Sequence, residues 1–453
     1  MAEVELDALV IGAGAAGLAA ARELAAAGAS VELIDPGDRP GGVMRTDRIE
    51  GHLVERGPHT LLVKAPALAF LRRHGLEPLL VAASPASRLR HLWHDGRLEP
   101  APSSLAGFLR TPLLSPRAKL RLLAEPFVRR GDPTQESVAE FVARRFGAEV
   151  SQRLVGPALT GIYAGDERTL GALAVLGAVA EAERSHGSVT LGLLALAFRP
   201  GPRGLHGSRS AAAGLGGLAE ALAAPLGPRL ALGTRATALA REGAGFRVEL
   251  EREGRAETRR VRRVLLAAPA VEAAALLEAL DAEAAALARG VTYVPVVSVA
   301  LSVDPAACRV RPEGFGFLVP RDAGLRTLGC LFTSSIFPGR APAGRALLTC
   351  MLGGARWPEA IEQPDGALEK LLVDELERTL GLRDAPRFLA VTRWRRAVAQ
   401  PGRAHGARIA RLRARLAGTA PGLALAGAWL DGVSVADTLA SGASAASALA
   451  SPS

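Results

Sequence analysis

Residues 4–35 read VELDALVIGAGAAGLAAARELAAAGASVELID. An apolar run leads through glycines into an alanine-rich stretch, then into a second apolar run that closes on an acid. Gly12, Gly14 and Gly17 form G-x-G-x-x-G directly after the first run. The first glycine permits a tight turn, the second lets backbone approach a pyrophosphate, and the third lets the helix pack closely on the strand. Ala15 and Ala16 open that helix, whose free N–H groups and dipole favour a bound phosphate. Asp35 stands eighteen residues beyond Gly17 and is followed by Pro36, a place where a carboxylate accepts ribose hydroxyls. A glycine-rich turn alone would mean little. With both strands, the helix and the acid in order, an α/β unit binding a dinucleotide is implied.

Composition narrows the remaining classes. At 453 residues, 49% of them apolar, two or three domains with sizeable cores are expected. No uninterrupted apolar run approaches the roughly 18 residues of a membrane-spanning helix. The opening MAEVELDALV is acidic and lacks a basic n-region, so a secretory signal is not expected. Cys308, Cys330 and Cys350 are scattered without metal-ligand spacing, which suits a reducing compartment such as the cytoplasm. The eight histidines form no H-x-x-x-H pair, so no metal site is expected. The net charge of +10 points to an anionic partner, either a carboxylate-bearing substrate or an acidic membrane surface. A solvated basic face is the plain alternative. Aromatics are scarce and no basic run interleaves with them, so nucleic acid is not expected.

Further along, residues 84–135 are rich in Pro, Ser, Arg and Leu, with short helical patterns. QESVAEFVARRFG predicts a helix capped by Thr134, with Val138, Phe141, Val142 and Phe146 on one face. GLGGLAEALAAP at 214–225 predicts another helix, and residues 230–254 predict a hairpin-like meander. RRVLLAAPA reads as a buried strand, and helices are expected at 270–289 and 365–380. Residues 290–355 are strand-rich, and a further strand is expected near FLAVTRW. The final stretch, 422–450, reads as strand, glycine turn and helix. This order predicts that the two ends and the piece 210–275 share one parallel sheet.

The dinucleotide is chosen by RPGGVMRT at 39–46. Gly41 and Gly42 followed by Arg45 and Thr46 resemble the second phosphate-side motif of the flavin amine oxidase superfamily, and imply FAD. Further segments resemble the oxygen-dependent protoporphyrinogen oxidases of the HemY type. These are ERGPHTLL with Glu55, Gly57 and Pro58, GIYAGDERTL with Ile162 to Asp166, GFGFLVP, LGCLFTSSIFP, and WRRAVAQPGRAH with Trp394, Gln400 and His405. Gly427, Gly432, Val433, Asp437, Ser441 and Gly442 resemble the family's C-terminal flavin-contacting motif. There are departures: Leu170-Gly171, Ala399-Gln400-Pro401 and Ala404 stand where the family has other residues, and Ala236 replaces a valine on the adenine side.

The resemblance implies an α/β fold in three parts. A discontinuous Rossmann-like FAD-binding domain takes 1–78, 210–275 and 395–453. A mixed-sheet substrate-binding domain takes 79–95, 186–209 and 276–394, and an inserted helical lobe takes 96–185. It places non-covalent FAD against Gly12, Gly14, Ala15, Ala16, Gly17, Asp35 and Pro36, then Gly41, Gly42, Arg45, Gly57, Pro58, His59 and Thr60. Ala236, Trp394, Gly427, Gly432, Val433, Ser434 and Val435 complete that set. The implied reaction is three successive two-electron oxidations of a porphyrinogen, with O2 reoxidising the flavin to give H2O2. Flavin N5 is the acceptor, and no protein acid–base pair is nominated. For the substrate the resemblance implies Arg90 on a propionate, with Arg88 as rival, and Tyr163 and His59 beside the macrocycle. A surface arginine, a core tyrosine and a structural histidine are the plain readings of these three. His405 is a candidate for the edge of the site.

Residues 103–130 interleave Phe108, Leu109, Leu113, Leu114, Leu120, Leu122, Leu123 and Phe127 with basic residues. A helical lobe able to dip into an anionic leaflet is expected, on the inner face of the cytoplasmic membrane; inward packing is the alternative. A homodimer is expected from the family. The nearest rival activity is oxidation of coproporphyrinogen III. An amine oxidase is disfavoured because Lys64, Lys119 and Lys370 all lie outside the C-terminal flavin segment. A carotenoid desaturase is disfavoured by GIYAGD.

Overall fold

A computed structural model describes residues 6–197 and 204–450. Residues 1–5, 198–203 and 451–453 belong to pieces given a domain above and lie outside the described residues. Two seven-stranded sheets organise the chain. In the first, β1 (Leu6–Ile11) pairs in parallel with β2 (Val31–Asp35) on one side and with Arg255–Leu266 on the other. Leu230–Leu232 and Leu423–Leu425 extend the parallel part. Segments from both ends and the middle therefore lie in one sheet. It is mixed rather than wholly parallel, because Thr234–Glu242, Gly245–Arg252 and Arg255–Leu266 run antiparallel. Tight turns at Gly243 and Gly254, both at positive φ, force that reversal.

The helix α1 (Ala15–Ala26) packs on this sheet, and the last helix, Val435–Ala450, packs on α1. Small residues set the spacing. A Cβ on Gly17 would lie 1.7 Å from the Gly12 carbonyl oxygen, and one on Gly442 would lie 2.0 Å from that of Ala16. The second sheet runs in the order 387–399, 293–303, 346–353, 329–331, 316–318, 90–94, 97–100. Its pairs are antiparallel except Arg90–His94 against Gly316–Leu318. All three cysteines are free and buried in the core of this sheet, with Cys330 and Cys350 opposite each other in register. Far apart in sequence, they are neighbours in space.

The inserted lobe is helical, and several expectations change there. The helix Val138–Phe146 is capped by Ser137, not Thr134. The Ser137 hydroxyl accepts from Glu140 N, and the Glu140 carboxylate accepts from Ser137 N, a reciprocal box. Leu113 and Leu114 are core residues, whereas Leu109, Leu120, Leu123 and Phe127 face outward, Phe127 being 88% exposed. The helix Val189–Ala197, expected in the substrate-binding piece, packs on Gly177–His186 of the lobe. Glu125 holds its start by accepting from Val189 N and Thr190 N, and is itself paired with the fully buried Arg145. The helix His405–Thr419, not anticipated above, buries Ile409, Leu412 and Leu416 at helical spacing. Among the described residues no helix is long and apolar enough to cross a membrane, and no cluster suits a metal ion.

Candidate functional site

The dinucleotide loop is built as its glycines require. Gly12 has φ +107°, and a Cβ there would press on the Ala267 carbonyl. Gly14 caps α1, and a Cβ on it would meet nothing within 4 Å, so open space lies where the motif needs a phosphate. The Asp35 carboxylate accepts from Ala13 N at 2.7 Å and Gly37 N at 2.7 Å, which ties the end of β2 to the loop. The second glycine pair joins the first. Gly41 N donates to Ala13 O at 2.8 Å, and Gly41 bridges to Gly14. Arg45 pairs with Asp47 close by. Pro36 is exposed, and Ala236 sits at a bulge of the antiparallel part.

The next wall comes from 55–61. A Cβ on Gly57 would lie 2.0 Å from Val43 O, so this segment presses against the Gly41–Gly42–Val43 loop. The Trp394 indole N–H donates to Arg56 O at 2.8 Å, and Leu61 exchanges backbone hydrogen bonds with Arg209. Between these anchors stand Pro58, His59 and Thr60. His59 is 6% exposed and neither ring nitrogen has a partner among the described residues. Burial, aided by the charge of Arg340, pushes its pKa down to about 3. Open space over Gly14 and an unpartnered polar ring at His59 fit a flavin dinucleotide.

The C-terminal turn closes the arrangement. Gly427 and Gly432 are at positive φ, Ser434 caps the last helix through Asp437, and Val433 and Val435 follow. Gly432, Val433, Tyr163 and His405 line one cavity of about 120 Å³. His405 is buried, which pushes its pKa down. Tyr163 ends the helix Gly156–Tyr163, whose Gly161 abuts Leu318 of the second sheet, and Gln400 donates to its carbonyl. Two residues reach this region without having been expected there. Arg340 arrives from the second sheet's side and pairs with Glu55 at 3.0 Å. Lys64 stands 2.8 Å from Asp437, so the fold places a lysine at the C-terminal segment after all. Neither had a local signal, since the partners are hundreds of residues apart in sequence.

Residues 15–450 match the pattern of the flavin containing amine oxidoreductases. The chain belongs to that family. Within it the chain falls among the protoporphyrinogen oxidases. It is 32% identical to the chloroplastic protoporphyrinogen oxidase of Nicotiana tabacum, over 87% of this chain and 76% of that one. It is 28% identical to the coproporphyrinogen III oxidase of Bacillus subtilis, over 99% and 98%. A crystal structure from Exiguobacterium, assigned to the protoporphyrinogen oxidases, superposes with a TM-score of 0.82 at 25% identity, covering 99% of both chains. As in this flavin family, FAD is the cofactor.

Arg90 lies apart from these walls, exposed at the start of the strand Arg90–His94 with its guanidinium 4.5 Å over the Phe315 ring. Neither Arg90 nor Arg88 pairs with a carboxylate among the described residues. His59 gives a pH signature. It stays neutral when folded down to about pH 3, whereas its ordinary value is 6.5. Between these values the unfolded chain binds the extra proton, so stability falls as pH is lowered through the window. The contribution is ~1.4 kcal/mol per pH unit. His59→Phe is expected to remove that slope, as measured by denaturant unfolding at several pH values.

Proposed function

We propose that this chain oxidises protoporphyrinogen IX to protoporphyrin IX in porphyrin and haem biosynthesis, with O2 as final acceptor and H2O2 as product. The observation that carries this is the extent of the likeness. The match to protoporphyrinogen oxidases takes in 87% of the chain, more than a shared nucleotide-binding unit would give. Non-covalently bound FAD supplies the two-electron acceptor and its reaction with O2. The protein's part is to hold, orient and shield. Gly12, Gly14, Gly41 and Gly42 provide close backbone approach for the pyrophosphate, and Asp35 the ribose contact. The 57–60 segment, Trp394 and the turn 432–435 frame the ring. The apolar strands of the second sheet and the Gly156–Tyr163 helix form the macrocycle's walls and exclude water. Arg90 holds a propionate: it is exposed, has no carboxylate partner among the described residues, and its strand adjoins Gly316–Leu318, against which that helix packs.

Oxidation of coproporphyrinogen III is a second reading, favoured by the end-to-end match to the Bacillus subtilis enzyme. The two substrates share the ring system and differ in carboxylate number, so cations at the cavity edge decide between them. The lobe contributes a third element of the proposal. Leu109, Leu120, Leu123 and Phe127 face outward near the exposed Arg117, Arg129 and Arg130. That combination suits peripheral attachment to an anionic leaflet, on the inner face of the cytoplasmic membrane. The active form proposed is a homodimer.

Porphyrin fluorescence in air, with both porphyrinogens side by side and H2O2 followed, tests the activity. Turnover of protoporphyrinogen with about three H2O2 per porphyrin is expected from three two-electron steps; no turnover of either by FAD-loaded protein refutes the assignment. Arg90→Ala is expected to raise KM about tenfold, as loss of a charge-assisted hydrogen bond implies, with kcat and flavin content little changed. In sedimentation with anionic vesicles at low salt, the chain should pellet and Phe127→Glu should remain in the supernatant.

A further inference from the structure

A flavin reoxidised by O2 releases H2O2 beside its own ring, so a sulfur side chain open to that cavity meets the oxidant first. The described residues carry sulfur at Cys308, Cys330, Cys350, Met44 and Met351. All but one are shielded. The three cysteines are buried in the core of the second sheet. Burial also pushes the thiols of Cys308 and Cys330 up, which leaves little of the reactive thiolate. Met44 is 2% exposed, inside the core around the first sheet. Met351 is partly exposed.

The strand Ala346–Gly353 decides where Met351 points. Successive side chains on a strand leave on opposite faces, so Cys350 enters the core and Met351 turns to the other side. Residues opposite one another in register share a face. Met351 lies opposite Ser298 on one neighbouring strand and Gly329 on the other, and Gly329 lies opposite Leu318. Leu318 is the residue that Gly161 of the helix Gly156–Tyr163 abuts, and Gly329 puts no side chain between it and Met351. Met351 packs beside Ala164, Val294, Val296 and Leu328. Ala164 directly follows Tyr163, which lines a cavity with Gly432 and Val433 of the C-terminal turn. The thioether thus stands on the sheet face that meets the helix end nearest that turn.

We propose that Met351 is a modification site, oxidised to the sulfoxide by the H2O2 that the site itself makes, and that the change slows the enzyme. This rests on the reading of the chain as an O2-using oxidase. The sulfur lone pair attacks one peroxide oxygen and the O–O bond breaks. The other oxygen leaves as water after proton transfer. The sulfur is oxidised by two electrons and the peroxide is reduced. A flexible apolar side chain becomes polar and chiral. Among Ala164, Val294, Val296 and Leu328 the new oxygen finds no side-chain donor, so the wall beside Tyr163 must rearrange.

FAD-loaded wild type and Met351→Leu are run through many turnovers of protoporphyrinogen IX in air. The runs are kept dark, so that the porphyrin makes no light-driven oxidant, and catalase removes peroxide from the bulk. Porphyrin is followed, peptides are weighed by mass spectrometry, and each rate is expressed relative to its own start. The expected result is one added oxygen on the Met351 peptide, growing with turnover number, and none on the Met44 peptide. The wild-type rate should fall in step with the sulfoxide fraction, while Met351→Leu should hold its own starting rate. Porphyrin formed with Met351 unoxidised overturns the proposal and leaves the activity standing. Equal oxidation of Met44, or an equal decline in Met351→Leu, overturns it as well. Failure of FAD-loaded wild type to form porphyrin overturns the proposal together with the activity beneath it.

Discussion

The Glu55 carboxylate, almost wholly buried, is the interaction on which the site depends. It accepts from the Thr46 hydroxyl at 2.6 Å, from Leu215 N at 3.0 Å and from Arg340 at 3.0 Å. Thr46 belongs to the second glycine segment, Leu215 to the helix Gly214–Ala223, and Arg340 to the loop before the strand Ala346–Gly353. One carboxylate thus joins the nucleotide unit, the middle of the chain and the second sheet. Burial pushes its pKa up, while the Thr46 hydrogen bond and Arg340 oppose that rise. Removing one member of such a buried pair costs about 3–5 kcal/mol, because the other is left charged and alone. The geometry of residues 56–60, which follow directly, is inherited from this anchor.

Close backbone approach is the second constraint. The missing side chains of Gly12, Gly17, Gly57 and Gly442 let β1, α1, the Val43 loop and the last helix meet at distances that any Cβ would forbid. Close packing of this kind fixes the spacing of the loop, the sheet and the last helix. The lobe follows a different logic. Arg145, Glu125 and Glu183 form a buried charge network inside it, joined by the partly exposed Arg144 and Glu136. An apolar cluster including Val138, Phe141, Val142 and Leu170 packs beside it, while Leu109, Leu120, Leu123 and Phe127 face outward.

Much of this architecture could be read along the chain. Strand, glycine turn and helix signals are local, so the 4–35 unit, the 230–254 meander, the buried strand in RRVLLAAPA and the 422–450 segment were legible from periodicity and turn chemistry. The flavin family was legible because its motifs are short and contiguous. One error fell on a cap. Thr134 was expected to cap the helix, whereas Ser137, with a glutamate three residues on, completes the reciprocal box. The helix His405–Thr419 carried a readable pattern in Ile409, Leu412 and Leu416, hidden among arginines.

The sequence by itself determined the dinucleotide unit, the flavin family and the residues that line the backbone cradle, because each depends on neighbours a few positions apart. Only the tertiary structure decided that Arg340 meets Glu55, that Lys64 meets Asp437, that Cys330 faces Cys350, and that the His59 ring is buried with no partner among the described residues. Those pairings join residues tens to hundreds of positions apart. Their energies come from burial and proximity, which exist only once the two sheets and the lobe have closed around one another.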